Sequence, residues 1–283
     1  MARVIAALLI LTLSGCASVG SSLLNAVSGD DTVTERADIS YGPAPRMAYD
    51  LYTPDDPTGP ILIYVHGGSW DEGDKGIYRF LGTGFAGDGL EVAIPNYRLS
   101  PEVVFPAFVE DIALAVREIR DDLGPDRPLF LMGHSAGAQI ASLIAYDPRY
   151  LAEVGLDQCV IAGFIGVSGP YDFLPIINPR YKRVFPEDTR PESQAINFAD
   201  GPKPPSLLLH GTADVIVHEE DSILMAQALS DAGNLVELKR YEGNGHIDII
   251  SATSDLLRDD APTHGDVMAF ISAYRSAAPR PGC

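Results

Sequence analysis

The chain has 283 residues, 46% of them hydrophobic, 8% aromatic and 21% charged, with 27 Gly, 22 Pro and three Cys. That balance excludes a disordered chain, a collagen-like repeat and a small disulfide-stapled scaffold. The net charge of −19 repels phosphate backbones and argues against nucleic acid as a partner.

The first element is a targeting segment. Arg3 precedes an apolar run from Val4 to Leu13, and the small residues Ser14, Gly15 and Cys16 follow. This run is too short to span a bilayer, which takes about 20 residues, so residues 1–15 read as a signal peptide. Leu13-Ser14-Gly15-Cys16 resembles the lipobox of bacterial lipoproteins. The resemblance implies cleavage before Cys16, lipidation of its thiol, and a lipid anchor on the periplasmic or extracytoplasmic face of a membrane in the bacterial cell envelope. A soluble secreted product is the alternative. Residues 16–40 are rich in Ser, Gly, Asp and Thr, and are expected to form a flexible tether. Loss of Arg3 with the leader brings the net charge to −20, which anionic headgroups would repel. Cys159 and Cys283 remain as a possible pair that sequence alone does not decide.

From Met47 onward β-rich runs alternate with helix-period segments, the rhythm of an α/β fold with a mostly parallel sheet flanked by helices. Ile61 to Val65 is a continuous apolar run, as a strand buried on both faces requires. Further strands are expected at Glu91 to Ile94, Leu129 to Met132, Ile161 to Val167, Ser206 to Leu209 and Val236 to Tyr241. A helix is expected over Phe105 to Asp122, where Phe108, Ile112, Ala115, Val116 and Ile119 form a stripe. The proline-rich stretch Pro170 to Pro205 breaks the rhythm and reads as an irregular excursion, a small cap over the sheet. No internal repeat or long linker divides residues 41–276, and residues 277–283 form a tail.

Gly133-His134-Ser135-Ala136-Gly137 fits G-x-S-x-G, with an apolar strand running into it and the small-residue helix Ala136 to Tyr146 leaving it. A strand–turn–helix of this kind lifts a serine hydroxyl out of a strained turn. A serine needs a base and a group that orients the base. Asp214 follows the strand ending at Leu209, and His246 follows the strand ending at Tyr241, so both belong at the carboxyl edge of the sheet. His264 is a second candidate base. His218 is followed by Glu219 and Glu220, but no histidine stands where the zinc motif H-E-x-x-H needs one. His66, His134 and His210 read as structural braces. His66-Gly67-Gly68-Ser69-Trp70 follows the first parallel strand, and the N–H groups of Gly67, Gly68 and Ala136 form a candidate oxyanion hole.

Together with Pro95-Asn96-Tyr97-Arg98, these motifs resemble the α/β-hydrolase superfamily from about Tyr49 to Tyr274, in particular hormone-sensitive-lipase-like carboxylesterases and kynurenine-formamidase-like enzymes. The resemblance implies a Ser135, Asp214 and His246 triad acting on short to medium acyl esters through an acyl-enzyme, with no metal or organic cofactor. Ser69 stands where the lipase-like group has a third glycine, and Trp70 is closer to the H-G-G-x-W of formamidase-like members. An arylformamidase or amidase is therefore the second reading, and an inactive envelope-binding lipoprotein the third. Oligomeric state is left open.

Overall fold

The computed structural model describes residues 22–26, 28–29, 31–276 and 283. The leader and Cys16 lie outside the described residues. Eight strands form one sheet in the order β1-β2-β4-β3-β5-β6-β7-β8. They are β1 (Val33–Ser40), β2 (Ala48–Pro54), β3 (Ile61–Val65), β4 (Glu91–Pro95), β5 (Leu129–His134), β6 (Ile161–Val167), β7 (Ser206–Gly211) and β8 (Val236–Tyr241). The helices are α1 (Arg79–Gly87), α2 (Ala107–Leu123), α3 (Ala136–Tyr146), α4 (Pro148–Glu153), α5 (Pro179–Val184), α6 (Glu219–Asp231), α7 (Asp248–Ser251) and α8 (Thr263–Tyr274).

Strands β3 to β8 pair in parallel, whereas β1 with β2 and β2 with β4 are antiparallel. This is the α/β-hydrolase fold, with a mostly parallel sheet flanked by helices. The six expected strands form where the sequence places them. Residues Ile61, Ile63 and Val65 of β3 face a core shared with α2, α3 and α6, and Leu62 and Tyr64 face the opposite core with α1 and α8. Burial on both faces explains the continuous apolar run. Helix α2 begins at Ala107, after Pro106, two residues later than the stripe suggests.

The stretch expected as tether differs from residue 22 onward. Val33–Ser40 is an edge strand on β2, and residues 22–26 form a helical turn with Leu24 buried. Asn25 secures that turn, accepting from the N–H of Phe80 at 3.0 Å and donating to the Gly76 carbonyl at 2.8 Å. Strand β1 escaped the hydropathy pattern because nearly every residue in it is exposed on one face or the other. Its register shifts between Arg36 and Ile39, and there Lys75 Nζ bridges Asp38 at 2.7 Å and Asp50 at 2.6 Å. At the other end of the chain, Cys159 and Cys283 form a disulfide across 124 residues. Among the described residues no helix is long and apolar enough to cross a membrane.

Strand β3 lies between β4 and β5, so the chain builds outward first to one side and then to the other. In open α/β sheets the loops on either side of such a reversal part at the carboxyl edge, which is where ligands bind. The Gly67-Gly68 loop and Ser135 are the segments placed there.

Candidate active site

Ser135 stands at φ 56° between β5 and α3, in a left-handed conformation that a non-glycine residue adopts only under constraint. The flanking glycines make that turn possible. A Cβ at Gly133 would lie 2.3 Å from the Gly137 carbonyl oxygen, and one at Gly137 would lie 2.1 Å from that of Val65. The Ser135 N–H donates to the Val167 carbonyl at 2.9 Å, and its own carbonyl accepts from the N–H groups of Ala138 and Gln139. The side chain is half-buried, and its Oγ has no hydrogen bond among the described residues. Bonds of this kind commonly close only when substrate is bound.

Asp214 and His246 meet across the loops that follow β7 and β8. His246 Nδ1 lies 2.7 Å from Asp214 Oδ2, and both side chains are buried. A carboxylate can only accept, so Nδ1 carries the proton and Nε2 keeps the lone pair that a base needs. Burial acts to raise the Asp214 carboxyl, but hydrogen bonds from His210, His246 and the Val217 N–H outweigh it and hold the group far below the usual carboxylate range. The two loops interlock: the Ala213 N–H donates to the Asn244 carbonyl at 3.0 Å, and a Cβ at Gly211 would sit 2.1 Å from that oxygen.

Backbone amides complete the site. The N–H groups of Gly68 and Ala136 have no acceptor among the described residues, whereas that of Gly67 is directed at the Tyr78 hydroxyl. Gly67 lies against the elbow so closely that a Cβ there would be 3.1 Å from the Ser135 Cβ. Gly68 has φ 126°, and a side chain there would meet the Glu72 carbonyl at 2.2 Å. The six residues singled out from sequence are thus gathered at one edge of the sheet.

The remaining histidines are accounted for by packing. His134 Nε2 donates to the His246 carbonyl at 3.0 Å and its ring lies 4.6 Å from that of His246, while burial lowers its value to about 3. His66 stacks on Tyr97 at 4.5 Å beneath the Gly67 loop, and burial lowers it to about 4. His210 contacts Ser222 Oγ at 2.8 Å and the Val217 carbonyl at 3.0 Å, and so supports the Asp214 loop. His264 stacks on Phe85 at 4.4 Å with Nε2 2.6 Å from Asp88, which engages it elsewhere. His218 stands at the N-cap of α6.

Several supporting residues had escaped the sequence reading. Gln139, fully buried in α3, accepts from Trp70 Nε1–H at 2.9 Å. Its signal was a lone amide in a run of small and apolar residues. Arg180 reaches back from α5 to Asp71 and Glu72, a pairing 108 to 109 residues long that no local pattern announces.

The BD-FAE family model matches residues 49–229, well over half of the chain. The chain belongs to the BD-FAE family. Beyond that match, a probable isoprenylcysteine alpha-carbonyl methylesterase of Oryza sativa subsp. japonica is 30% identical over 240 residues, covering 75% of this chain and 56% of the relative. Esterase LipC of Mycobacterium tuberculosis is 30% identical over 273 residues, covering 86% and 66%. The BD-FAE chain therefore spans little more than half the length of the first curated relatives it matches. Among solved structures, Esterase B from Lactobacillus Rhamnosis superposes with a TM-score of 0.76 at 19% identity, covering 97% of each chain, which shows the shared fold.

Proposed function

We propose that this BD-FAE member is a serine carboxylesterase acting on short to medium acyl esters. The observation that carries the reading is the buried Asp214–His246 pair, 2.7 Å apart at the same sheet edge as Ser135 and the unengaged amides of Gly68 and Ala136. His246 Nε2 takes the Ser135 hydroxyl proton as Oγ bonds to the ester carbonyl carbon, and Asp214 steadies the imidazolium. The free amides of Gly68 and Ala136 stabilise the oxyanion, and Gly67 shapes the loop that presents the first of them. The protonated His246 returns its proton to the leaving alcohol as the acyl–oxygen bond breaks. Water then gives a proton to His246 as it attacks the acyl carbon, the acyl–Oγ bond breaks, and His246 passes that proton to Ser135 Oγ, freeing the acid. Val215, Ile216 and Ile247, within two residues of Asp214 or His246, are exposed apolar side chains suited to uncharged acyl chains. The esterase names of both relatives agree with this reading.

A fluorophosphonate probe is expected to label the wild type and not Ser135→Ala; an unlabelled wild type would instead support the inactive-lipoprotein alternative. Rates on p-nitrophenyl acetate, butyrate and octanoate beside N-formylkynurenine separate an esterase from a formamidase, the reading that Trp70 favours. Lipid anchoring through Cys16 in the cell envelope belongs to the same proposal. Its support is the leader sequence, and the Cys159–Cys283 disulfide suits an oxidising compartment. Cys16→Ser should move the protein from the membrane to the soluble fraction, and unchanged fractionation overturns the anchor.

A further inference from the structure

Two consecutive non-glycine residues of the loop after β3 have positive φ, Ser69 at 54° and Trp70 at 64°. Such a conformation is strained for a residue with a side chain and persists only where surrounding contacts impose it. The contacts are specific. The Trp70 indole is buried and donates to Gln139 Oε1 at 2.9 Å, and its backbone carbonyl accepts from the Ser100 N–H at 2.9 Å. Gln139 has a second role in the elbow, because its own N–H donates to the Ser135 carbonyl at 3.2 Å. One residue on α3 therefore links the nucleophile's backbone to the loop that carries Gly67 and Gly68.

The Pro170 to Pro205 excursion closes this seat from the other side. The rings of Phe173, Tyr181 and Phe185 pack around Trp70 with centroids 5.7, 5.7 and 4.8 Å away. Gln139 Nε2 donates to the Ser193 carbonyl at 2.8 Å. Arg180 forks onto Asp71 at 2.6 and 2.5 Å and reaches Glu72 at 2.9 Å, just beyond the indole.

Resting on the serine-hydrolase reading, we infer that Trp70 is a positioning residue: seated on Gln139 and clamped by the excursion, it holds the Gly68 amide in place beside Ser135. Freed of that seat, Ser69 and Trp70 relax to negative φ, and the turn they close no longer fixes the preceding Gly68 N–H beside Ser135. The lost interaction is one made in the transition state, so the effect falls on kcat.

Trp70 is the one tryptophan of the chain, so its fluorescence reports on this junction alone. Gln139→Leu keeps the volume and removes the acceptor. It is expected to lower kcat for p-nitrophenyl acetate about 10- to 100-fold, as a misplacement near 1 Å does, with KM within about threefold and the indole emission shifted. Arg180→Met, at a side chain 37% exposed, should fold normally, lower kcat about three- to tenfold and shift the emission to the red. Wild-type kcat in both variants overturns the inference, as does a loss that only tracks the unfolded fraction. If Gln139→Leu does not fold, Arg180→Met alone decides by the same criteria. Ser135→Ala run beside them separates the two levels: activity retained there overturns the serine-hydrolase reading itself, whereas activity lost there with kcat unchanged in the other variants overturns only the role of Trp70.

Discussion

At the amino edge of the sheet Arg127 gathers the ends of several segments: it donates to the Gly59 carbonyl at 2.6 and 3.0 Å and to the Leu123 carbonyl at 3.1 Å, and pairs with buried Glu91. Backbone bonds run level with it, from Ile61 N–H to Pro128 and from Glu91 N–H to Pro60, and the disulfide fastens the C-terminus to the turn before β6. The carboxyl edge is built with the opposite bias. There Ser69, Trp70, Ser135 and Ser168 have positive φ, the Gly68 and Ala136 amides have no acceptor among the described residues, and His66 and His134 are buried. One edge satisfies its polar groups, and the other keeps strain and unspent donors for a ligand. Stability and chemistry are thereby separated on one scaffold, with the strained edge held up by the satisfied one.

That separation can be broken by four measurements. Ser135→Ala should lower kcat/KM by about 10⁴-fold or more while leaving the melting temperature near the wild-type value. A large fall in melting temperature would show that the elbow also carries stability.

Acid should act next most strongly, and through the carboxyl edge. His66 and His134 are lowered by burial from 6.5 to about 4 and about 3. Because the folded values lie below the unfolded one, the unfolded chain binds more protons in this range. The contribution to stability is complete above pH 6.5 and is lost as pH falls toward 4, at up to roughly 1.4 kcal/mol per unit for each group. Calorimetry across that range should show a falling melting temperature, and a level profile would remove the two histidines from the account.

Arg127→Met strips the partner from buried Glu91 and should cost about 3 kcal/mol in denaturant unfolding, with kcat unchanged. A matching loss of kcat would erase the distinction between the edges. The smallest effect is expected from Cys159→Ser with Cys283→Ser. Removing a long-loop crosslink should cost about 2 kcal/mol, the low end of the usual range, again without change in kcat, read from thermal melts of the oxidised wild type beside the variant.

Most of the central fold was legible because its demands are local. A strand buried on both faces must be apolar through its middle, and β3 to β7 satisfy this with polar groups only at or near their ends, whereas β8, less buried, was placed by its β-rich run and the flanking turns. The elbow was legible for a similar reason, since the atoms that exclude a side chain at Gly133 belong to Gly137, four residues away. The edge strand β1 was hidden, because exposure of both faces leaves no hydrophobic alternation to read. The clamp on Trp70 was hidden too. Its partners Gln139 and Phe185 stand 69 and 115 residues away, and an irregular proline-rich segment gives no period from which its packing could be deduced.

Sequence by itself determined which residues could serve as nucleophile, base, orienting acid and oxyanion donors, because each sits in a short motif whose backbone conformation is dictated by immediate neighbours. Only the tertiary structure decided that Asp214 and His246 touch, that Gly67 lies against Ser135, and that Trp70 joins the excursion to α3. Those contacts depend on how loops from different strands converge where the strand order reverses, and that convergence is a property of the closed sheet.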